Sequence, residues 1–256
     1  MIKAVIFDMD GLMIDSERVT FEGYQYELAK MGLTIDKAFY ITLLGKPVKG
    51  IYQRFYDVYG DDFPIEQVIK RVHAYMEERF ETEGVPLKQG LIPLLQYLKK
   101  NDYRTIVATS SNRDRVDKIL ASANLTDYFD DSICGDEVTN GKPNPEVFLK
   151  SCDKLFVNPD EALVLEDSEA GIEAAFRANI PVICIPDMKY PEEQYAQMTT
   201  AILDSLDLVK DYLIEQQTVE EKPSSIKKYA KAAAGITGAV GVLLLAGILA
   251  RKMLNK

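Results

Sequence analysis

Two aspartates, Asp8 and Asp10, directly follow a short apolar run at the start of the chain, and Gly11 comes next. The run, residues 2–6, is typical of a buried strand, and aspartate is depleted in strands. A carboxylate taken out of water is costly unless it is paired or bound to a metal. The pair therefore predicts a partner elsewhere in the chain.

Short apolar runs alternate with longer helical patterns along most of the sequence. Four further strands are predicted at 104–109, 131–135, 161–166 and 181–186, with helices at 88–101, 113–123, 144–156 and 168–179. This order indicates βαβ units, and so an α/β fold with a Rossmann-like, mostly parallel sheet and helices on both faces. In such folds ligands bind outside the carboxyl ends of the strands.

Residues 16–86 break this rhythm, because only helical patterns occur there. We expect a small all-α domain inserted after the first strand, where it would lie over the two aspartates. Residues 1–15 and 87–217 would then form the α/β core.

Polar side chains follow the predicted strands at the edge where ligands bind. Lys142 precedes a helix whose start is signalled by Pro143 and Pro145. Carboxylate oxygens with few nitrogen or sulfur ligands suit a hard cation such as Mg²⁺. The residues expected to converge are Asp8, Asp10, Thr109, Lys142, Glu166 and Asp167.

These residues carry a resemblance to a known family. The stretch DMDG at residues 8–11, Thr109, Lys142 in GKPNPEVF and residues 166–168 in LEDSEAGI resemble the four signatures of the haloacid dehalogenase (HAD) superfamily. The helical segment resembles its small α-helical cap. In detail the sequence is similar to the branch that contains β-phosphoglucomutases and phosphatases, over about residues 1–215.

The resemblance implies Mg²⁺-dependent hydrolysis of a small phosphorylated metabolite, a phosphate monoester such as a sugar phosphate. Asp8 would be the nucleophile that forms an aspartyl-phosphate, and Asp10 the general acid and base. Thr109 and Lys142 would stabilise phosphoryl charge. The implied metal ligands are Asp8, Asp10, Glu166 and Asp167.

Other positions have weaker claims to bind substrate. Gly11 would let the chain turn sharply and approach the phosphate. The cluster Ser110, Ser111 and Asn112 would either contact the phosphate or only cap a helix. Three basic residues of the helical segment could reach a second anionic group or be ordinary surface charges: Lys46, Lys49 and Arg71.

Two alternatives to a phosphatase stay open. A phosphosugar mutase of the β-phosphoglucomutase type is expected to carry a cap histidine, but Thr20 stands at that position, which favours hydrolysis. A membrane-tethered, non-catalytic interaction protein is the other alternative, and the intact residues at every catalytic position argue against it.

Composition excludes several classes of function. A formal net charge of −10 argues against a nucleic-acid partner. Three cysteines, Cys134, Cys152 and Cys184, show no metal-binding spacing and are expected to be reduced. The single histidine, His73, lies in an amphipathic helical pattern and is interpreted as a surface or packing residue.

The C-terminal part of the chain has a different composition. Residues 218–231 are predicted to form a polar linker, and residues 232–250 contain no charge. A helix over that apolar segment would span roughly 28 Å, close to the hydrocarbon core of a bilayer. We therefore expect a transmembrane helix that anchors a cytoplasmic catalytic domain. Its small residues could let two such helices pack as a weak homodimer.

Overall fold

The computed structural model describes residues 1–216, of which Ile2–Asp211 form one compact unit. Within this unit six parallel strands form a sheet: β1 (Ala4–Phe7), β2 (Arg104–Ala108), β3 (Asp131–Ile133), β4 (Ala162–Glu166), β5 (Val182–Cys184) and β6 (Ala201–Ile202). Their order across the sheet is β3-β2-β1-β4-β5-β6. The predicted α/β class with a parallel sheet is confirmed.

The central strands are apolar because both faces of the sheet are covered. Every residue of β1 and of β4 is buried, as expected for strands of a parallel sheet that lies between helices. The first five strands fall where the sequence predicts them. The sixth was not predicted, since two residues carry no periodic pattern.

Four helices lie between β1 and the next core helix, in the segment 16–86, which we call the insertion. They are α1 (Ser16–Lys30), α2 (Lys37–Ile41), α3 (Val48–Tyr59) and α4 (Ile65–Glu83). The insertion has its own apolar cluster, in which Phe55 stacks on Phe63 with ring centroids 5.5 Å apart. Helix α1 lies close to α4 at Gly23, where a Cβ would contact Tyr75 and Val72.

The helices that cover the sheet are α5 (Leu91–Lys100), α6 (Arg113–Ser122), α7 (Glu146–Leu155), α8 (Glu169–Arg177) and the short α9 (Glu193–Ala196). Phe148 of α7 and Ile172 of α8 belong to one apolar cluster with Ile6 and Val164 of the sheet. Another helical stretch begins at residue 207.

Two short segments connect the insertion to the sheet, and they run side by side. The Asp15 N–H donates to the Pro86 carbonyl (2.8 Å), and the Lys88 N–H donates to the Met13 carbonyl (2.9 Å). Both connections therefore leave the core at one place, next to the end of β1.

The described residues contradict the predicted membrane-anchored location. No helix within residues 1–216 is both long enough and apolar enough to cross a bilayer. The longest helix described, α4, has 19 residues and carries charged side chains such as Glu66, Lys70 and Arg71. The segment 232–250, on which the predicted anchor and the weak homodimer depended, lies outside the described residues.

Candidate active site

The centre of the site is the ammonium group of Lys142, which lies at the carboxyl ends of β1, β2 and β4. Strand β1 pairs in register with β2 and β4, so Asp8 lies level with Ala108 and Glu166. Lys142 Nζ lies 2.5 Å from Asp8 Oδ1, 2.6 Å from Glu166 Oε1 and 3.1 Å from the Ala108 carbonyl oxygen. An ammonium has three N–H donors, so each of them has an acceptor.

This charged cluster is almost completely buried. The side chains of Lys142, Asp8 and Glu166 are 6%, 11% and 0% exposed. Burial raises the pKa of Asp8 to about 7, although Lys142 acts in the opposite direction. Burial alone would lower the pKa of Lys142, but the charges of Asp8 and Glu166 outweigh that effect and raise the pKa above its ordinary value. The lysine is therefore a fixed positive charge beside the nucleophile candidate.

Glu166 uses both carboxylate oxygens for protein contacts. Oε1 accepts from Lys142, and Oε2 accepts from the Asp167 N–H (2.9 Å), the Ser168 N–H (2.8 Å) and the Ser168 hydroxyl (2.9 Å). Gly171 packs so closely that a Cβ there would overlap the Glu166 carboxylate. The prediction that Glu166 binds the metal remains a prediction: Oε2 already accepts three hydrogen bonds, and Oε1 accepts the single one from Lys142.

Asp167, the next residue, has the opposite environment. Within residues 1–216 its carboxylate accepts no hydrogen bond and forms no ion pair. Burial, followed by the charges of Glu166 and Asp8, raises the pKa of Asp167 well above its usual range. Gly11 has φ of +85°, and a Cβ there would overlap the Asp167 carboxylate. Carboxylates that repel one another in this way favour the binding of a hard cation.

The described residues 1–216 contain no ready cluster of three acidic, cysteine or histidine side chains for a metal. A Mg²⁺ site does not need one, because Mg²⁺ is usually held by one or two carboxylates together with waters and substrate phosphate. The carboxylates of Asp8 and Asp167, whose charges act on each other, fit that description.

Asp10 is held by a cation and a hydroxyl. Arg115 Nη2 lies 2.6 Å from Asp10 Oδ1, and Ser111 Oγ donates to Asp10 Oδ2 at 2.7 Å. Arg115 Nε also donates to Ser111 Oγ (3.2 Å). Thr109, buried just after β2, accepts the Ser111 N–H on its hydroxyl oxygen (3.1 Å). These hydrogen bonds connect Thr109, at the end of β2, to Asp10, which follows β1.

The remaining predicted residues lie outside this network. Asn112 caps α6, because its side chain accepts the Arg115 N–H at 3.0 Å. Ser110 is exposed. Lys46 and Lys49 are exposed too, and in the part of the chain that the structure describes no hydrogen bond or ion pair connects them to the site.

Three residues near the site were not predicted from the sequence. Arg115 lies in the first turn of α6, four residues after Ser111, which precedes the helix. Asp187 follows β5, whose carboxyl end is at the same edge as that of β4, so the strand-end argument could have found it. Glu17, in the first turn of α1, accepts the Tyr40 hydroxyl (2.5 Å).

Comparison with known proteins identifies the family. The sequence profile of the haloacid dehalogenase-like hydrolases matches residues 5–185. A phosphorylated carbohydrates phosphatase of Thermotoga maritima is 32% identical over 178 residues, which cover 70% of this chain and 82% of that protein. A fructose-1-phosphate phosphatase of Escherichia coli is 30% identical over 183 residues, which cover 70% and 94%.

A solved structure is similar as well. A Thermotoga maritima protein provisionally assigned as a β-phosphoglucomutase has a TM-score of 0.70 and 28% identity, covering 84% of this chain and 99% of its own. The chain belongs to the haloacid dehalogenase-like hydrolase family, since the profile matches well over half of it. The predicted family and the predicted class of enzyme, a phosphoric monoester hydrolase, are confirmed.

Proposed function

We propose that this hydrolase is a Mg²⁺-dependent phosphatase of small phosphorylated metabolites, with sugar phosphates among its substrates. The observation that carries the proposal is the position of Lys142 Nζ between Asp8 Oδ1 (2.5 Å) and Glu166 Oε1 (2.6 Å). A buried cation fixed beside a carboxylate suits a nucleophile that must accept a dianionic phosphate. The names of the Thermotoga maritima and Escherichia coli relatives support the substrate class.

The proposed reaction has two displacements at phosphorus. Asp8 attacks with the oxygen that Lys142 does not hold, so that an aspartyl-phosphate bond forms while the ester P–O bond breaks. Asp10 donates a proton to the departing oxygen. It then takes a proton from the water that attacks the same phosphorus, which releases phosphate and restores Asp8.

The residues around the nucleophile supply charge and orientation. Lys142 neutralises charge on Asp8 and on the phosphoryl group, and the Thr109 hydroxyl donates to a phosphoryl oxygen. Bound Mg²⁺ would act as a Lewis acid that reduces charge repulsion. Asp8, Asp167 and the main-chain carbonyl of Asp10 would hold it.

The insertion is proposed to act as the cap of this site. It leaves the core beside the end of β1 through two adjacent connections, which suits movement of residues 16–86 as one body. Residues 1–15 and 87–217 would form the core beneath it. Closure would exclude water from the reacting groups.

Mutase activity is the weaker alternative. The position expected for a cap histidine carries Thr20, whose hydroxyl donates to the Ser16 carbonyl (2.8 Å) and lies 3.5 Å from Met76 Sδ. A threonine engaged in this way has no basic nitrogen with which to move a proton.

The test is hydrolysis of p-nitrophenyl phosphate with and without Mg²⁺. Asp8→Asn should abolish turnover while the circular dichroism spectrum is retained, because an amide is a far poorer nucleophile of the same shape. Asp153→Asn, at an exposed position on α7, is the matched control and should keep wild-type turnover. Equal turnover of Asp8→Asn and wild type would refute the proposal, and an inactive wild type would favour a non-catalytic role.

A further inference from the structure

A cavity of about 260 Å³ adjoins the site at Asp167. It is slightly smaller than the roughly 300–1,000 Å³ of pockets that hold drug-sized ligands, so it suits a leaving group no larger than a monosaccharide. Residues of the insertion and of the segments after β4 and β5 line it, among them Glu17, Leu44, Asp167, Glu169, Asp187 and Lys189.

Asp187 is a buried carboxylate that the proposed mechanism does not use. Its side chain is 9% exposed, and Oδ1 accepts from Lys88 Nζ at 2.6 Å. The other oxygen, Oδ2, is buried and has no donor among the described residues. An unpaired buried acceptor is costly. The terminal torsion of an aspartate is soft, so a small rotation would turn Oδ2 toward a donor in the cavity.

The charges around the cavity are strongly one-sided. Five acidic side chains line it against one basic side chain, Lys189, which already pairs with Glu169 at 2.8 Å. Lys46 and Lys49 do not line the cavity. Arg71 is paired with Glu27 at 3.9 Å. The cavity therefore offers hydrogen-bond acceptors and no free cation among the described residues.

We infer that Asp187 determines specificity: it accepts hydrogen bonds from the hydroxyls of an uncharged, polyhydroxylated leaving group, such as a polyol or a sugar. The same cavity repels a leaving group that carries a second anionic group. Lys88 positions Asp187 for this contact. The inference rests on the proposed function and deepens it by naming the leaving-group chemistry.

The experiment uses the purified full chain with Mg²⁺ and four substrates. Glycerol 1-phosphate and sorbitol 6-phosphate have uncharged hydroxylated leaving groups, fructose 1,6-bisphosphate has a second anion, and p-nitrophenyl phosphate has no hydroxyl donor. The wild type should prefer sorbitol 6-phosphate to fructose 1,6-bisphosphate by about tenfold or more in kcat/KM.

In Asp187→Asn the ratio of kcat/KM for sorbitol 6-phosphate to that for p-nitrophenyl phosphate should fall about tenfold, because a charged acceptor is lost. Glu17→Gln, at another carboxylate that lines the cavity, should lower the same ratio if Asp187→Asn does not fold. Asp153→Asn should leave the ratio unchanged.

An unchanged ratio in folded Asp187→Asn, or in Glu17→Gln where Asp187→Asn does not fold, would overturn the inference while hydrolysis of p-nitrophenyl phosphate still supports the proposed function. A wild type that prefers the bisphosphate would overturn it too. Absence of all hydrolysis by the wild type would overturn the proposed function itself, and the inference with it.

Discussion

Arg115 Nη2 lies 2.6 Å from Asp10 Oδ1, so the proposed acid and base is paired with a guanidinium from the first turn of α6. The side chains of the two residues are 25% and 28% exposed. Ser111 donates to the other oxygen of Asp10. Both contacts fix the direction of the Asp10 carboxylate.

Replacement of Arg115 should therefore affect the chemical step more than substrate binding. We expect Arg115→Ala to lower kcat about 10- to 100-fold, because a misplaced general acid loses most of its contribution, with a change in KM of less than about threefold. Steady-state kinetics with p-nitrophenyl phosphate give both values. Lys118→Ala, at an exposed position on the same helix, is the control. A rise in KM with constant kcat would assign Arg115 to substrate binding instead.

Loss of the buried ammonium should destabilise the protein as well as inactivate it. In Lys142→Met the carboxylates of Asp8 and Glu166 would face each other without a cation, which should cost about 3–5 kcal/mol in the free energy of unfolding. Urea denaturation followed by circular dichroism measures it. Adding Glu166→Gln to Lys142→Met should recover part of the stability and none of the activity. No recovery in the double variant would show that charge repulsion is not the cause.

Asp167 should destabilise the metal-free protein and stabilise the protein that has bound Mg²⁺. The raised pKa of this carboxyl means that ionisation is costly in the metal-free protein. Asp167→Asn should therefore be more stable than wild type by about 1–2 kcal/mol in EDTA, yet gain nothing from added Mg²⁺. Wild type should become more stable with Mg²⁺, and its activity should be lost on chelation. Equal stabilisation of both proteins by Mg²⁺ would contradict the assignment of Asp167 as a ligand.

Gly11 should tolerate no side chain. Its φ of +85° is unfavourable for other residues, and a Cβ would overlap the Asp167 carboxylate. We expect Gly11→Ala to cost about 2–4 kcal/mol of stability and to abolish activity. Gly60→Ala isolates the backbone contribution, since Gly60 has φ of +94° with open space around it. It should cost about 1 kcal/mol and remain active. Similar losses in both variants would show that close packing on Asp167 is unimportant.

The sequence predicted that Asp8 and Glu166 meet because strand ends of a parallel sheet share one edge, and it placed Lys142 near them just before a helix. It did not predict which of the adjacent carboxylates, Glu166 or Asp167, faces the lysine. Successive side chains at a strand end point to opposite faces, and sequence alone does not tell which face a given residue takes.

The helical contributions were harder to predict for a similar reason. Whether Arg115 reaches Asp10 depends on how α6 is rotated against the sheet, and spacing within a helix does not fix that rotation. Asp187 was missed although it follows a predicted strand, because a single aspartate after a proline is equally typical of a solvated turn.

The central claim is that Asp8 is transiently phosphorylated, and the most direct test is to trap that state. The enzyme would be quenched in acid during turnover of p-nitrophenyl phosphate with Mg²⁺, digested and analysed by mass spectrometry. We predict a phosphoryl group on the peptide that contains Asp8, and none in Asp8→Asn. Full turnover with no phosphoryl group on that peptide, or the same adduct in Asp8→Asn, would contradict the account.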